Sequence, residues 1–321
     1  MGCESSCVKT RMMPEGGCFD TTHIVKFESE YWKKINHVIK IQAFWRGHVV
    51  RKKFSGKVSG RYFIRENMEE VDIYVPPEEQ NTRVFRKYLY KSGAVYDGEW
   101  LNNKRDGFGI MFWPDGTRYE GEWKNNRACG KGKLIHFSGE YYEGEWKNDK
   151  AHGRGTYVAA DGTIYTGEWK EDFEHGYGEE RWADGSWYSG SFSYGKKNGI
   201  GTYCWPDGSI YTGKWKNNMM DGNGTYNWKD GKSYTGSWKK NKMHGKGTFI
   251  FSDGRKYEGE YFKDKKHGKG TYYWPDGKKY EGEWKNGKQH GVGVLTFSDK
   301  TQRVGRWSHG KRVEWLDDAD D

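Results

Sequence analysis

Large apolar residues alternate with small or polar ones along short segments of this chain, and the alternation repeats every 23 residues from Tyr96 onward. In the first copy, Tyr96, Gly98 and Trp100 occupy every second position, so all three project from one face of an extended strand. A polar segment follows, and a second alternating segment ends in Pro-Asp-Gly at residues 114–116, which is typical of a turn. Two short strands and two turns per copy predict a β-hairpin, and hairpins in fixed phase predict one continuous antiparallel sheet.

The Tyr-x-Gly-x-Trp signal keeps its spacing through nine copies, and a degenerate tenth follows at residues 303–307. A fixed period of this length indicates stacked units, because one 23-residue unit cannot bury its own apolar face. The sequence therefore predicts a mostly β, elongated single sheet of about ten hairpins, with an aromatic and a polar face. The aromatic face is predicted to form the groove for a partner, through Tyr119, Trp123, Tyr142, Trp146, Tyr165, Trp169, Tyr211, Trp215, Tyr234 and Trp238.

Each copy also carries a Gly-x-Gly pair, such as Gly107 and Gly109. Glycine weakens a strand unless the backbone needs close approach, so its regular presence predicts rings lying over the neighbouring backbone. Phosphate binding is the alternative, but no pair is followed by a helix with the residues that phosphate loops require.

The 23-residue pattern resembles the MORN (membrane occupation and recognition nexus) repeat. The copy at residues 257–279 shows most of the family pattern, namely Tyr-Glu-Gly-Glu-Tyr followed by His-Gly-Lys-Gly-Thr-Tyr-Tyr-Trp-Pro-Asp-Gly. The resemblance covers about residues 86–310 and implies a scaffold that associates with a protein partner or a membrane. Departures from the pattern lie at Glu180, Ser138-Gly139, Lys300 and Arg303.

The net charge of +9 is concentrated in one segment. Residues 31–65 contain ten Lys or Arg and no Asp or Glu, which leaves the repeat array close to neutral. We therefore expect no basic stripe on the array, and no nucleic-acid binding. The five cysteines are scattered and odd in number, which favours a reducing compartment over a disulfide framework.

The basic segment contains a second motif at residues 41–54, which resembles an IQ motif. The resemblance implies binding of calmodulin or a related EF-hand protein. Alternating apolar and basic positions on a predicted helix suit a groove that is apolar inside and acidic outside. A basic helix lying on a membrane, or packed on the first repeats, is the alternative. The predicted calmodulin-binding residues are Ile41, Gln42, Trp45, Arg46, Gly47, Arg51 and Phe54.

The chain begins Met-Gly-Cys-Glu-Ser-Ser-Cys, which fits the signal for N-myristoylation of Gly2. Cys3 and Cys7 are candidates for palmitoylation. One acyl chain binds membranes only marginally, so a second chain or the basic segment would be needed for stable attachment. An ordinary N-terminus that begins Met-Gly by chance is the alternative.

Candidate catalytic groups follow the repeat and do not stand apart from it. Five histidines share one phase, just before the first Gly of each pair, and Glu99, Glu122 and Glu145 share another. Phase-related ligands about 10 Å apart cannot share a zinc ion, so we interpret the histidines as turn residues and the glutamates as a solvated face. The sequence predicts no enzyme, no metal and no cofactor. The five histidines are His152, His175, His244, His267 and His290.

These features divide the chain into an acylated N-terminus (1–27), a basic IQ helix (28–65), an acidic linker (66–85), the array (86–310) and an acidic tail (311–321). We expect a non-catalytic, membrane-tethered scaffold at the cytoplasmic face of a membrane, in a cilium, flagellum or cell cortex. Association of two copies into a homodimer is a further expectation. The alternative function is direct binding of acidic phospholipids, such as phosphoinositides, by the array.

Overall fold

The computed structural model describes residues 80–317, and all regular secondary structure in that range is β-strand. Twenty-one strands form one antiparallel sheet in which each strand pairs with the next along the chain. The predicted sheet of consecutive hairpins is therefore confirmed, whereas the predicted IQ helix lies outside the described residues. No helix in residues 80–317 has the length and apolar character needed to cross a bilayer.

The strands alternate between seven and nine residues in length over most of the sheet. Their bounds are β1 Val84–Leu89, β2 Val95–Leu101, β3 Lys104–Phe112, β4 Arg118–Lys124, β5 Arg127–Ile135, β6 Tyr141–Lys147, β7 Lys150–Val158, β8 Ile164–Lys170, β9 Phe173–Arg181, β10 Trp187–Ser193, β11 Lys196–Cys204, β12 Ile210–Lys216, β13 Met219–Asn227, β14 Ser233–Lys239, β15 Lys242–Ile250, β16 Lys256–Phe262, β17 Lys265–Tyr273, β18 Lys279–Lys285, β19 Lys288–Thr296, β20 Gln302–Ser308 and β21 Lys311–Trp315.

The two long edges of the sheet are formed by two different kinds of turn. At one edge, two-residue loops such as Asn102 (φ 48°) and Asn103 (φ 63°) place both residues at positive φ, as type I′ turns require. At the other edge, Pro-Asp-Gly loops close with the N–H of Gly116 donating to the carbonyl of Trp113 at 2.9 Å. We call these the two-residue edge and the Pro-Asp-Gly edge.

Each tyrosine ring lies over the glycines of its own hairpin. Gly98 pairs with Gly109 across β2 and β3, and a Cβ on Gly98 would lie 2.7 Å from the hydroxyl of Tyr96. That hydroxyl donates to the carbonyl of Glu99 at 3.0 Å. Burial raises the pKa of Tyr96, which keeps the hydroxyl protonated as a donor. The glycine positions therefore permit the close approach that the sequence predicted.

Each tryptophan of the repeat contacts the preceding hairpin through a hydrogen bond and through its ring. The indole N–H of Trp123 donates to the carbonyl of Gly109 at 3.1 Å. The Trp123 ring makes edge-to-face contacts with Tyr119 of its own hairpin and Tyr96 of the preceding one, with centroids 5.0 and 5.5 Å apart. Related contacts continue to Tyr280 and Trp307. We call this row of buried tyrosines and tryptophans the inner ladder.

The sheet extends beyond the predicted array at its C-terminal end. Strand β21 lies within the segment predicted as a tail, and Trp315 contacts Trp307 with ring centroids 6.1 Å apart. The degenerate tenth copy thus forms β20 and pairs with β21, which is the edge strand at this end of the sheet.

Candidate binding surfaces

The predicted partner groove is wrong in its choice of residues. The ten aromatic side chains assigned to it are all buried, at 0% to 6% exposed. They belong to the inner ladder, where each ring is covered by rings of adjacent hairpins. A partner cannot contact them without opening the sheet, so the accessible surface must be formed by other residues. The ten are Tyr119, Trp123, Tyr142, Trp146, Tyr165, Trp169, Tyr211, Trp215, Tyr234 and Trp238.

A second aromatic row lies on the same face, nearer the Pro-Asp-Gly edge. Tyr203 pairs directly with Tyr211 of the inner ladder, and Trp205 lies two residues further along the chain, just past the end of β11 at the turn. Successive rings contact one another with centroids 4.4 to 6.0 Å apart. Except for buried Tyr272, these rings are only partly buried. We call them the outer aromatic row: Trp182, Tyr203, Trp205, Tyr226, Trp228, Phe249, Phe251, Tyr272 and Trp274.

The signal for this row is present in the sequence as the aromatic residue before each Pro-Asp-Gly or related turn. It is incomplete in the early repeats, where His136 and Ala159 occupy the corresponding positions of Trp182. The periodic pattern assigns both rows to one face, but does not say which row the sheet covers.

A cluster of charged groups interrupts the start of the outer aromatic row. Glu180 takes the place of an aromatic residue and pairs with Lys197, with Oε2 and Nζ 3.0 Å apart and both side chains mostly buried. The ammonium of Lys197 also lies 4.6 Å from the ring centroid of Trp182. Burial, reinforced by repulsion from Glu180 and opposed by Lys197, raises the pKa of Glu174 to about 7. The departure at Glu180 is thus compensated locally by a lysine on the second strand along.

A further cation lies among the rings at the same repeat phase as Lys197. The ammonium of Lys266 lies 4.1 Å from the ring centroid of Tyr272 and 4.8 Å from that of Trp284. Burial, with a smaller contribution from Arg255, lowers the pKa of Lys266 to about 8. The aromatic face of the sheet therefore carries lysine ammonium groups, those of Lys197 and Lys266, as well as rings.

The expectation of no basic stripe is also wrong. Lysines flank most of the two-residue loops, so the sheet gathers them along one edge. Lys147 pairs with Lys150 and Lys285 with Lys288, directly across their hairpins. The near-neutral net charge of the array concealed this arrangement. Many of the carboxylates that balance the lysines lie elsewhere, on the polar face and at the Pro-Asp-Gly edge. Exposed basic residues at this edge are Lys104, Lys124, Arg127, Lys147, Lys150, Lys170, Lys196, Lys216, Lys239, Lys240, Lys242, Lys263, Lys265, Lys285, Lys288 and Lys311.

One of the phase-related histidines and several of the glutamates cap backbone N–H groups. Nδ1 of His175 accepts the N–H of Tyr194 at 3.4 Å, and a carboxylate oxygen of Asp221, in the same repeat phase, accepts that of Lys240 at 3.2 Å. Oε1 of Glu145 accepts the N–H of Arg154 at 3.0 Å, beside the irregular pairing of β6 and β7. The interpretation of these glutamates as merely solvated needs correction, since the carboxylates satisfy N–H groups at a bulge. In residues 80–317, no three His, Cys, Asp or Glu side chains are grouped as metal ligands.

The polar face carries a hollow of about 820 Å³. It spans β6 to β9, with Glu143, Arg154, Tyr177 and Glu179 among its lining residues. It is open and broad, unlike the enclosed clefts that usually bind small molecules.

The calmodulin-binding and lipidation residues predicted at positions 2–54 lie outside the described residues. They remain predictions in their structural detail. The sequence comparisons nevertheless address the motif itself, because a profile described as the IQ calmodulin-binding motif matches residues 36–55.

Comparison with solved structures returns TCP10 and TCP domains among its matches. The TCP10 domain of Danio rerio CPAP in complex with a peptide of Danio rerio STIL is 14% identical, with a TM-score of 0.40, and the match covers 73% of this chain and 99% of that chain. The SAS-4 (dCPAP) TCP domain of Drosophila melanogaster, in complex with a proline-rich motif of Ana2 (dSTIL), is 9% identical, with a TM-score of 0.32 and coverages of 49% and 85%. Scores this low do not establish a common fold. No curated protein sequence matches the chain.

A profile described as the MORN repeat matches the chain in nine consecutive copies, which correspond to the hairpins of the sheet. The matched residues are 96–118, 119–141, 142–164, 165–187, 188–210, 211–233, 234–254, 257–279 and 280–302. These segments cover more than half of the sequence. The chain belongs to the MORN-repeat family.

Proposed function

We propose that this protein is a non-catalytic scaffold that docks a protein partner on the outer aromatic row of its array. The observation that carries the proposal is the row itself, a line of contacting rings on an open sheet, all partly exposed except Tyr272. Aromatic side chains at a surface supply large contact areas with little loss of conformational freedom. The two family matches, MORN repeats and an IQ motif, are both binding modules, which further supports a scaffold.

The outer aromatic row is tested by substituting two of its central rings. In the full chain, Trp205→Lys with Trp228→Lys places charge on the row but leaves the inner ladder intact. The matched control is Trp113→Lys, which changes the same repeat position in a hairpin outside the row. Proximity labelling in cells should lose a set of proteins with the double variant and retain it with the control, while near-UV circular dichroism shows both folded. Identical labelled sets would contradict docking at this row.

We further propose that residues 41–54 bind calmodulin or a related EF-hand light chain. An Ile41→Asp, Gln42→Ala variant of the full chain should bind purified calmodulin at least about ten-fold more weakly in calorimetry, since it loses an apolar anchor and a polar contact. Ile64→Asp, outside the matched motif, should bind as the unaltered chain does. Equal affinity of all three proteins would rule out the assignment.

We propose that acylation at Gly2, Cys3 and Cys7 holds the scaffold at the cytoplasmic face of a membrane. The basic segment would strengthen this attachment, because each Lys or Arg near an anionic surface contributes about 1 kcal/mol of binding free energy. Calmodulin bound to that segment would weaken the tether. Acylated protein should pellet with vesicles, less so with calcium-calmodulin, and Gly2→Ala should reduce pelleting. The proposed location is a cilium, a flagellum or the cortical cytoskeleton. We also propose that the protein dimerises through an array end, which ultracentrifugation can test.

The second candidate function is direct binding of acidic phospholipids by the array, and the basic two-residue edge is the observation in its favour. It predicts that a chain lacking residues 1–65 still binds vesicles. Under the scaffold proposal, that truncated chain does not pellet.

A further inference from the structure

The two-residue edge is most basic over its last four loops, from the β14–β15 turn to the β20–β21 turn. This stretch, which we call the lysine edge, carries eight exposed lysines and one carboxylate, that of Asp264. Asp264 is engaged within the fold, since its Oδ1 accepts the N–H of Met243 at 2.8 Å. None of the eight lysines forms an ion pair within residues 80–317. We propose that the lysine edge binds an extended, acidic peptide segment of a protein partner.

The first argument is that the lysine edge places like charges opposite one another. Lys239 pairs directly with Lys242, and Lys285 with Lys288. Directly opposed like charges destabilise a strand pair. Two cations also face each other outside the lysine edge, at Lys147 and Lys150 and at Lys124 and Arg127, whereas a neutral residue faces the lysine in other hairpins, as with Ser193 and Lys196. The fold therefore tolerates this cost in two of the four hairpins of the lysine edge, and a carboxylate bound between the opposed lysines would offset it.

The second argument is backbone conformation at two loop tips. Lys240 and Lys263 hold φ values of 49° and 48°, in the left-handed region that long side chains rarely adopt. The same loop position is Asn at 102, 125, 148, 217 and 286, and asparagine tolerates this conformation better. Glu171, Tyr194 and His309 hold similar φ values of 50°, 47° and 52° at this position in other loops. Lys240 and Lys263 therefore place positive charge at two loop tips where the backbone conformation favours asparagine.

The geometry favours a chain of separated carboxylates. Successive loops lie two strands apart, so the lysines recur at roughly 10 Å intervals and the four loops span about 30 Å. An extended peptide advances about 3.3 Å per residue, so an acidic residue at every third position would meet each loop. About ten residues would cover the edge.

A phosphate headgroup fits the lysine edge less well. Phosphate sites converge arginine forks or free backbone N–H groups on one point. Here the second residue of each of the four loops donates its N–H inward, as in Gly287 to the carbonyl of Lys266 at 2.8 Å and Gly310 to that of Gln289 at 2.9 Å. The backbone N–H of Lys240 donates to a carboxylate oxygen of Asp221, and no arginine lies in the four loops. The other donors at the loop tips, namely ammonium groups and single backbone N–H groups, lie roughly 10 Å apart from loop to loop and do not converge on one point.

The probe is a ten-residue peptide, (Glu-Gly-Ser)₃-Glu, mixed with the full chain and a carbodiimide, which joins carboxylates to adjacent lysines. Mass spectrometry of the products reads each lysine separately, so binding to the basic segment at residues 31–65 does not obscure the edge. We expect cross-links at Lys242, Lys265, Lys285 and Lys288, and few at Lys229 and Lys300 on the Pro-Asp-Gly edge. Equal yields at the two edges would overturn the proposal.

The key variant is Lys240→Asn with Lys263→Asn. It should lower cross-linking at Lys265 and Lys285 about five-fold, as expected for losing two exposed charge contacts, and should raise the melting temperature because asparagine suits the left-handed loop. The matched control, Lys229→Asn with Lys300→Asn, removes the same charge at the opposite edge and should leave those yields within two-fold. An unchanged yield in the key variant would overturn the proposal, since a melting temperature at or above that of the unaltered chain excludes misfolding.

Competition identifies the class of partner. Vesicles containing a phosphoinositide, or a thymidine decamer, should displace the glutamate peptide only at higher anion concentration than the peptide itself. Displacement at lower concentration by either one would overturn the peptide assignment in favour of a membrane or a nucleic acid. The Trp205→Lys, Trp228→Lys variant should keep the cross-links, because the outer aromatic row lies toward the other end of the strands.

Discussion

At the scale of single residues, the sheet depends on backbones that come too close for a side chain. Gly144 faces Gly155 across β6 and β7, and the ring of Tyr142 covers both. Tyr142 then donates its hydroxyl to the carbonyl of Glu145 at 2.9 Å, so the ring is fixed by packing and by a hydrogen bond. The same arrangement recurs in each repeat, which explains why glycine is tolerated in the middle of the strands.

We therefore expect Gly144→Ala to be strongly destabilising. Its Cβ would contact the Cα of Gly155 and lie 2.6 Å from the carbonyl oxygen of Arg154, and neither backbone atom can move away cheaply. The loss in the free energy of unfolding should be about 3 kcal/mol or more, measured by urea denaturation. Gly139→Asn is the matched control, because no atom lies within 4 Å of a Cβ there and its φ of 91° is a turn conformation. A loss as large for Gly139→Asn would refute the steric explanation.

At the scale of elements, successive hairpins are joined by their two-residue loops. Oδ1 of Asp172 accepts the N–H of Ala151 at 2.7 Å, and the N–H of Asp172 donates back to the carbonyl of Ala151 at 3.0 Å. Asn126 and Asn241 make the same pair of bonds to earlier hairpins. The second loop residue is thus a link between repeats as well as a turn former.

This link makes a pH-dependent prediction for Asp172→Asn. Burial raises the pKa of Asp172 from its usual value near 4 to about 6, so the carboxyl contributes stability that is full below pH 4 and is lost as the pH rises through 6. Asparagine keeps the oxygen acceptor without the buried charge. The variant should be more stable by about 1 to 2 kcal/mol at pH 8 and nearly equal to the unaltered chain at pH 4. A gain that does not change with pH would show that charge burial is not the cause.

The hairpins themselves were predictable, since alternation around Tyr96 and the Pro-Asp-Gly turn at 114–116 fixes both the strands and their partners. The misassigned groove shows the limit of that reasoning. Alternation places Tyr203 and Tyr211 on one face, but cannot tell that rings of adjacent hairpins cover Tyr211 and leave Tyr203 partly open. That difference depends on contacts between repeats, which the pattern within a repeat does not contain.

At the scale of the whole array, repeats that look alike in sequence form surfaces that differ along the sheet. The outer aromatic row begins at Trp182, and the lysine edge begins at Lys239, near opposite ends of the strands. Net charge and composition average over both edges, which is why the sequence predicted a neutral array. A scaffold with two distinct surfaces can hold two segments of a partner, or two partners, at the same time.

The central claim is that the inner ladder is core and the outer aromatic row is the accessible surface. Hydroxyl-radical footprinting of the full chain, read by mass spectrometry at each tryptophan, tests it without knowledge of the partner. Trp123, Trp146 and Trp169 should be protected in the native protein, whereas Trp205 and Trp228 should be oxidised several-fold faster. Comparable oxidation of both groups in folded protein would contradict the account, because the inner rings would then be as open to a partner as the outer ones.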